Sequence, residues 1–288
     1  MILVTGATGT IGREVLRLLP AGLPVRIMAR HPERVTGAPP DAHIVHGDFT
    51  DPSSLTDALH NVRTALLVTN PDGDDDTRFL GPALAAGVRH IVKLSAAAVT
   101  DPRADDLITR RQRHNEDLLR ASGTAWTLLR PRAFMSNTLS WARSIRADRT
   151  VRAPYGFSEN ACVDPRDVAE AAVRALTGPA GDHAGRAYTL TGPQPLSAAA
   201  QTAQLSRLLG LELRFHELSP QEARTALGAR YPADIADALL ESARRQHSGS
   251  KGVVDPTLPR LLGRPAGTFQ DWAADHLDAF RPAAGAGD

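Results

Sequence analysis

A chain of 288 residues that is 42% apolar can bury one large α/β core, and its net charge of +1 offers no general attraction to nucleic acid or to an acidic membrane. No apolar run approaches the ~18 residues that span a bilayer, and the one cysteine, Cys162, allows no internal disulfide and reads as a small buried hydrophobe. The first apolar stretch lacks the length and basic start of a signal peptide, so a soluble cytoplasmic protein is expected.

Residues 1–5 are a short β-prone run suited to a buried parallel strand. Gly6, Gly9 and Gly12 follow, in the order G-A-T-G-T-I-G. A helix over 13–19 comes next, with Ile11, Val15, Leu18 and Leu19 at helical spacing, and then a strand over 23–29. In this context Gly6 permits a tight turn, Gly9 lets the backbone approach a pyrophosphate, and Gly12 lets the helix pack close on the sheet. Amides at the helix start then face the phosphates. The G-x-x-G-x-x-G spacing between a strand and a helix therefore points to a dinucleotide. Arg30 ends the second strand, and no acidic residue occurs over 23–31 to hold the ribose 2′-hydroxyl of NAD. Arginine there suits the 2′-phosphate of NADP, with Arg34 in support.

Residues 43–47 read as a third strand, with Asp48 and Phe49 at its C-terminal end, and 54–59 as a short helix behind Asp51 and Ser53. A fourth strand over 64–69 runs into Asn70 and Pro71. Asp72, Asp74, Asp75 and Asp76 then crowd a helix start, where carboxylates suit the dipole, and no metal site is expected. A helix over 79–86, a fifth strand over 90–95 and a helix over 105–121 follow. The last carries Arg110, Arg111, Arg113, His114 and Glu116. His114 reads either as a general acid, being the only group there that titrates near neutrality, or as a polar packing residue. The arginines lack the interleaved aromatics of a nucleic-acid patch. A sixth strand over 125–130 leads to Pro131, Arg132, Ala133 and Phe134. Residues 149–160 read as a loop able to lid a substrate, 165–176 as a helix and 187–190 as a strand. Beyond Pro195 the chain is mostly helical (198–209, 220–227, 233–246), with a short strand over 211–216. A flexible break at 248–255, a terminal helix over 268–280 and a frayed end over 283–288 complete it.

The opening glycine spacing combines with Val25-Arg26-Ile27-Met28-Ala29-Arg30, Gly47-Asp48-Phe49 and His90-Ile91-Val92-Lys93-Leu94-Ser95. To these are added Thr127-Leu128-Leu129-Arg130-Pro131, Val163-Asp164-Pro165-Arg166-Asp167-Val168-Ala169 and Tyr188-Thr189-Leu190-Thr191-Gly192-Pro193. The set resembles the atypical short-chain dehydrogenase/reductases, and within them the NmrA-like branch of NAD(P)-binding quinone and azo-dye reductases and redox-sensing regulators. The resemblance runs from residue 1 to about residue 280 and is more specific for fold and cofactor than for reaction. It implies that Asp48 contacts the adenine, that Ser95 stands where the family places its catalytic serine, and that Pro131 lies beside the nicotinamide. The Tyr-x-x-x-Lys pair of that chemistry is missing. Tyr155, Tyr188 and Tyr231 are followed four residues later by Glu159, Gly192 and Ile235, and the pair would fall near Ile108 and Gln112.

The expected fold is α/β, a doubly wound parallel-sheet Rossmann domain. Residues 1–150 form the NAD(P)-binding core, and 151–288 return to the sheet and form a small, mostly helical C-terminal lobe. Gly6, Thr8, Gly9, Thr10, Ile11, Gly12, Arg30, Asp48, Phe49, Thr69, Asn70, Ser95 and Pro131 are expected to line NADP(H). Hydride transfer to a flat acceptor needs stacking in a dry pocket more than acid–base help, and Phe134, Met135 and Tyr155 are its candidate wall. Ser95 and His114 are the candidate catalytic groups. The expected activity is NADPH-dependent reduction of a quinone-like or other conjugated small molecule by a monomer or homodimer. It needs no nucleic acid, membrane or metal. Two alternatives stay open: a catalytically silent NADP(H) sensor with a protein partner, and a non-redox tailoring enzyme for cyclisation or dehydration.

Overall fold

Short apolar runs alternate with amphipathic helices along the first two thirds of the chain, and the computed structural model turns them into a parallel sheet covered on both faces. The structure describes residues 1–70, 73–179 and 181–281. Pro71, Asp72 and the expected frayed end at 283–288 lie outside the described residues.

The sheet contains β1 (Ile2–Val4), β2 (Val25–Ala29), β3 (His43–His46), β4 (Thr64–Leu67), β5 (His90–Leu94) and β6 (Ala125–Pro131). Strand β7 (Thr150–Ala153) lies outside it, and β8 (Arg186–Leu190) completes it, in the order β3-β2-β1-β4-β5-β6-β8. Every neighbouring pair is parallel. The order reverses between β1 and β4, and in such sheets a crevice opens there at the C-terminal ends of the strands.

Alternation within each strand divides the core. Ile2, Val4, Ile27, Leu66, Val92 and Leu129 face one layer; Leu3, Met28, Leu67, Ile91 and Leu128 face the other. The first layer is covered by α1 (Thr10–Leu18), the second by α2 (Pro52–Leu59), α3 (Asp75–Ala85) and α4 (Leu107–Ala121). Helix α1 has nine residues, too few to stand alone in water. Its Val15 and Leu16 are fully buried, and α6 (Pro165–Thr177), which follows α5 (Ala142–Asp148), packs along it. Ala169, Ala171, Ala172 and Ala175 allow that close approach. Helix α6 starts cleanly: Pro165 occupies its first turn, and the Asp164 carboxylate accepts from Arg166 N at 2.8 Å.

The C-terminal part contains α7 (Ala198–Leu209), β9 (Arg214–Glu217), α8 (Pro220–Gly228), α9 (Ala233–His247), α10 (Thr257–Leu262), α11 (Phe269–Asp275) and α12 (Leu277–Phe280). Its own cluster joins Met135, Ile145, Val151, Leu205, Phe269, Trp272 and Phe280.

The structure differs from the sequence reading in four places. Residues 149–160 are not wholly loop: β7 pairs in parallel with β9, with Val151 opposite Phe215. The segment 248–255 has no helix or strand, yet Lys251 O accepts from Ala161 N (2.9 Å) and Asp255 N donates to Thr191 Oγ1 (2.9 Å). It is therefore pinned to the core rather than a free break. Helix α10 is absent from the sequence reading because it is only six residues long, with Pro256 and Pro259 at its start. The terminal helix breaks at His276, whose Nδ1 lies 2.7 Å from Trp272 O, the carbonyl that a continuing helix would have used. Among the described residues, no helix is long and apolar enough to cross a membrane.

Candidate cofactor and substrate site

The turn after β1 is built from its own backbone. Gly6 adopts φ +64°, a conformation costly for other residues, and Gly9 N donates to Gly6 O at 2.9 Å. Gly9 is also the N-cap of α1 and supplies no side chain to cap it. The first amides of α1 are therefore left for a ligand. A Cβ on Gly12 would lie 2.2 Å from Gly6 O and 2.7 Å from Ala7 Cα. Gly12 thus packs directly against the turn at the end of β1. Thr5 ties the turn to β4: its hydroxyl accepts from Val68 N (2.9 Å) and lies 3.1 Å from Leu66 O.

A cleft of about 570 Å3 opens above this turn. Gly6, Thr8, Gly9, Arg30, Asp48, Phe49, Thr69 and Asn70, all candidates from sequence, line it together, and Arg34 joins them. Arg30 is exposed and makes no ion pair with a described residue. Asp48 accepts from Thr50 N and Thr50 Oγ1, both at 2.8 Å, and these bonds hold its carboxyl below the usual range. The groups fit a dinucleotide: free helix amides for the pyrophosphate, a carboxylate acceptor beyond β3 and a guanidinium at the end of β2.

The other candidates stand apart from that cleft. Thr10 is exposed at the start of α1, Ile11 is core, Gly12 is buried, and Pro131 is buried at the end of β6. Ser95 is buried, and its hydroxyl donates to Glu116 Oε1 at 2.6 Å. Glu116 also binds Arg130 through both oxygens and Arg120 at 2.8 Å. Burial pushes the Glu116 carboxyl up, but the hydrogen bonds from Arg130 and Ser95 and the two guanidinium charges outweigh it, so it sits below its usual range. The Ser95 hydroxyl is thereby committed to structure. His114 is exposed on α4 and is not among the residues that line this cleft. Met135 is core; Phe134 is half-buried and bridges Val163; Tyr155 lies 5.9 Å, ring to ring, from His247.

Sequence reasoning missed Asp76. It reads as one of several helix-start acids, yet it is buried against the ammonium of Lys93 at 2.5 Å. It also accepts from Thr69 Oγ1 (2.6 Å) and Asn115 Nδ2 (3.1 Å). This network fixes Thr69, a cleft residue, from below. The one signal was that Lys93 is one of only two lysines in an arginine-rich chain. Among the described residues there is no metal-binding cluster.

Glu116→Gln should destabilise the protein by about 3 kcal/mol at neutral pH, because it strips a buried carboxylate from Arg130. Glu116 has a lowered folded-state pKa, so its contribution is present above the ordinary value of 4.5 and is lost as acid carries the pH through the folded value. Urea unfolding of both proteins across pH should show the gap closing in acid; a gap that ignores pH would mean the carboxylate charge is irrelevant.

Comparison with known proteins agrees with this geometry. A family model described as NAD(P)H-binding matches residues 6–179. A (4-alkanoyl-5-oxo-2,5-dihydrofuran-3-yl)methyl phosphate reductase of Streptomyces griseus is 56% identical, covering 98% of this chain and 100% of that protein. An NAD(P)H azoreductase of Xenophilus azovorans is 36% identical, covering 97% and 99%. The crystal structure of an Escherichia coli NADPH-dependent quinone oxidoreductase complexed with NADPH superposes with a TM-score of 0.83 at 27% identity, covering 96% and 100%. The chain is a member of the NAD(P)H-binding oxidoreductases, in the NmrA-like group of quinone and azo-dye reductases.

Proposed function

We propose that this protein is an NADPH-dependent reductase of a conjugated small molecule, and that an alkanoyl-butenolide phosphate is the first substrate to try. The observation that carries the reading is the cleft, lined by the glycine turn before the uncapped α1 and by Arg30, in a chain whose helix α4 has neither tyrosine nor lysine. When bound, NADPH supplies the hydride. An alkanoyl-butenolide that takes a hydride at its β carbon loses its ring double bond to an enolate shared by two carbonyls. Water then protonates that enolate, so the chain need not offer the acid that Tyr-x-x-x-Lys provides. The buried role of Ser95 and the exposed place of His114 fit this economy. What remains for the chain is to hold the nucleotide along α1, to orient the acceptor at the ends of β5 and β6, and to exclude water from the hydride path.

The test is NADPH consumption with an alkanoyl-butenolide phosphate and with simple quinones, with the product read by mass. Saturated butenolide carrying label from hydride-labelled NADPH is the expected product. Tight NADPH binding with no turnover of any conjugated acceptor would sink the reading.

A further inference from the structure

Three cations gather behind the C-terminal end of β6, away from the glycine turn. Arg132 leaves β6 with its backbone N–H on Leu190 O (2.8 Å). Its guanidinium is half-buried, and its Nε is shut off from solvent without a hydrogen-bond partner. Arg245 of α9 is buried; its Nη2 donates to Asp106 Oδ2 at 2.6 Å, while its Nη1 is enclosed and unpartnered. The Lys251 ammonium donates to Ser242 Oγ (2.7 Å). The backbone brings the three side by side: Ser250 Oγ donates to Arg245 O (3.2 Å), Lys251 O accepts from Ala161 N (2.9 Å), and Ala161 O accepts from Gly192 N (3.0 Å), two residues beyond the Leu190 that holds Arg132. Burial, and then the charges of Arg245 and Arg132, push the Lys251 pKa down to about 8. The acids nearby do not balance them. Asp106 pairs with Arg245, and Asp101, whose charge reaches Arg132 and Arg245, also pairs with Arg103 at 3.5 Å, so two carboxylates face more cations than they can neutralise. The Cys162 thiol, pushed up by burial to about 11, stays neutral. Enclosed guanidinium nitrogens without partners, in a group with more cations than acids, are costly, and they suit a place that an anion occupies.

That anion is not the cofactor's. Arg30 and Arg132 leave the sheet from β2 and β6, four strand spacings or roughly 19 Å apart, and the helix amides of α1 lie between them. We propose that Arg132, Lys251 and Arg245 anchor the phosphate monoester of the substrate, setting its conjugated ring at the C-terminal ends of β5 and β6. This rests on the reductase reading above. A phosphate dianion offers several acceptor oxygens to two planar guanidinium forks and an ammonium, which is the donor set present.

The first experiment titrates inorganic phosphate into protein saturated with NADP+, so that the cofactor's own phosphate positions are filled, and follows the thermal midpoint against chloride of equal ionic strength. Phosphate should raise the midpoint of the wild type and have no such effect on Arg132→Gln or Lys251→Met. Both variants should still bind NADPH, which checks their fold. In turnover, each should raise KM for the phosphate ester about 10- to 100-fold and erase the preference over the corresponding alcohol. Equal stabilisation of wild type and variants by phosphate would overturn the anchor, as would equal KM for ester and alcohol in the wild type. If phosphate stabilises only the wild type and no conjugated acceptor, butenolide or quinone, is reduced, the anchor stands and the reductase reading falls.

Discussion

Gly12→Ala should weaken NADPH binding by more than about a hundredfold and cost about 3 kcal/mol of stability. The added Cβ would meet Gly6 O at 2.2 Å and Ala7 Cα at 2.7 Å. Both are backbone atoms, so no side chain can swing aside. Either the turn moves, which disorders the pyrophosphate cradle, or α1 lifts, which opens the layer formed by Ile11, Val15 and α6. At Gly9 the corresponding atom would touch only Gly6 O, at 3.2 Å, and Gly9→Ala should be milder. Calorimetric titration together with chemical unfolding decides the matter. A Gly12→Ala protein with full stability and full affinity would mean that this turn does not hold the nucleotide.

Arg30→Ala should weaken NADPH by about 10- to 100-fold and NADH by less than about twofold. Arg30 lines the cleft at the end of β2, and its guanidinium is exposed and has no described ion-pair partner to satisfy first. Its expected partner is the 2′-phosphate, which NADH lacks. Arg34 lines the same wall and limits the loss, so the double variant should lose more than either single one. Parallel titrations with the two cofactors measure this directly. Equal losses for both would remove Arg30 from cofactor choice.

The glycine turn and the strand ends around it were legible because each lies within a few residues of the feature that announces it. Gly6 to Gly12 run from the end of a strand into a helix; Arg30, Asp48 and Thr69 each lie within two residues of a strand end. A parallel sheet gathers strand ends at one edge whatever the loops do. The cationic group was illegible for the opposite reason. Arg132, Arg245 and Lys251 come from a strand end, a helix and a connecting segment more than a hundred residues away, and nothing local marks any of them. Strand β7 hid in the same way: Thr-Val-Arg-Ala is short and polar, and it becomes a strand by pairing with β9, close to the strand expected over 211–216. His114 shows the limit of chemical reasoning without position. Its residue type suits proton transfer, while the fold alone places it, exposed on α4 and outside the cleft at the glycine turn.

The packing of α1 under α6 has a consequence for the birth of the chain. The nucleotide turn leaves the ribosome well before the helix that covers α1, which begins at Pro165. At ordinary synthesis rates the apolar stripe of α1 waits roughly 7 to 30 s for its cover. Thr5 likewise finds its hydrogen-bond partners only when Leu66 and Val68 arrive. A nascent chain stalled before residue 165 should therefore bind chaperone but not nucleotide, and the earliest motif in the sequence becomes one of the last to work.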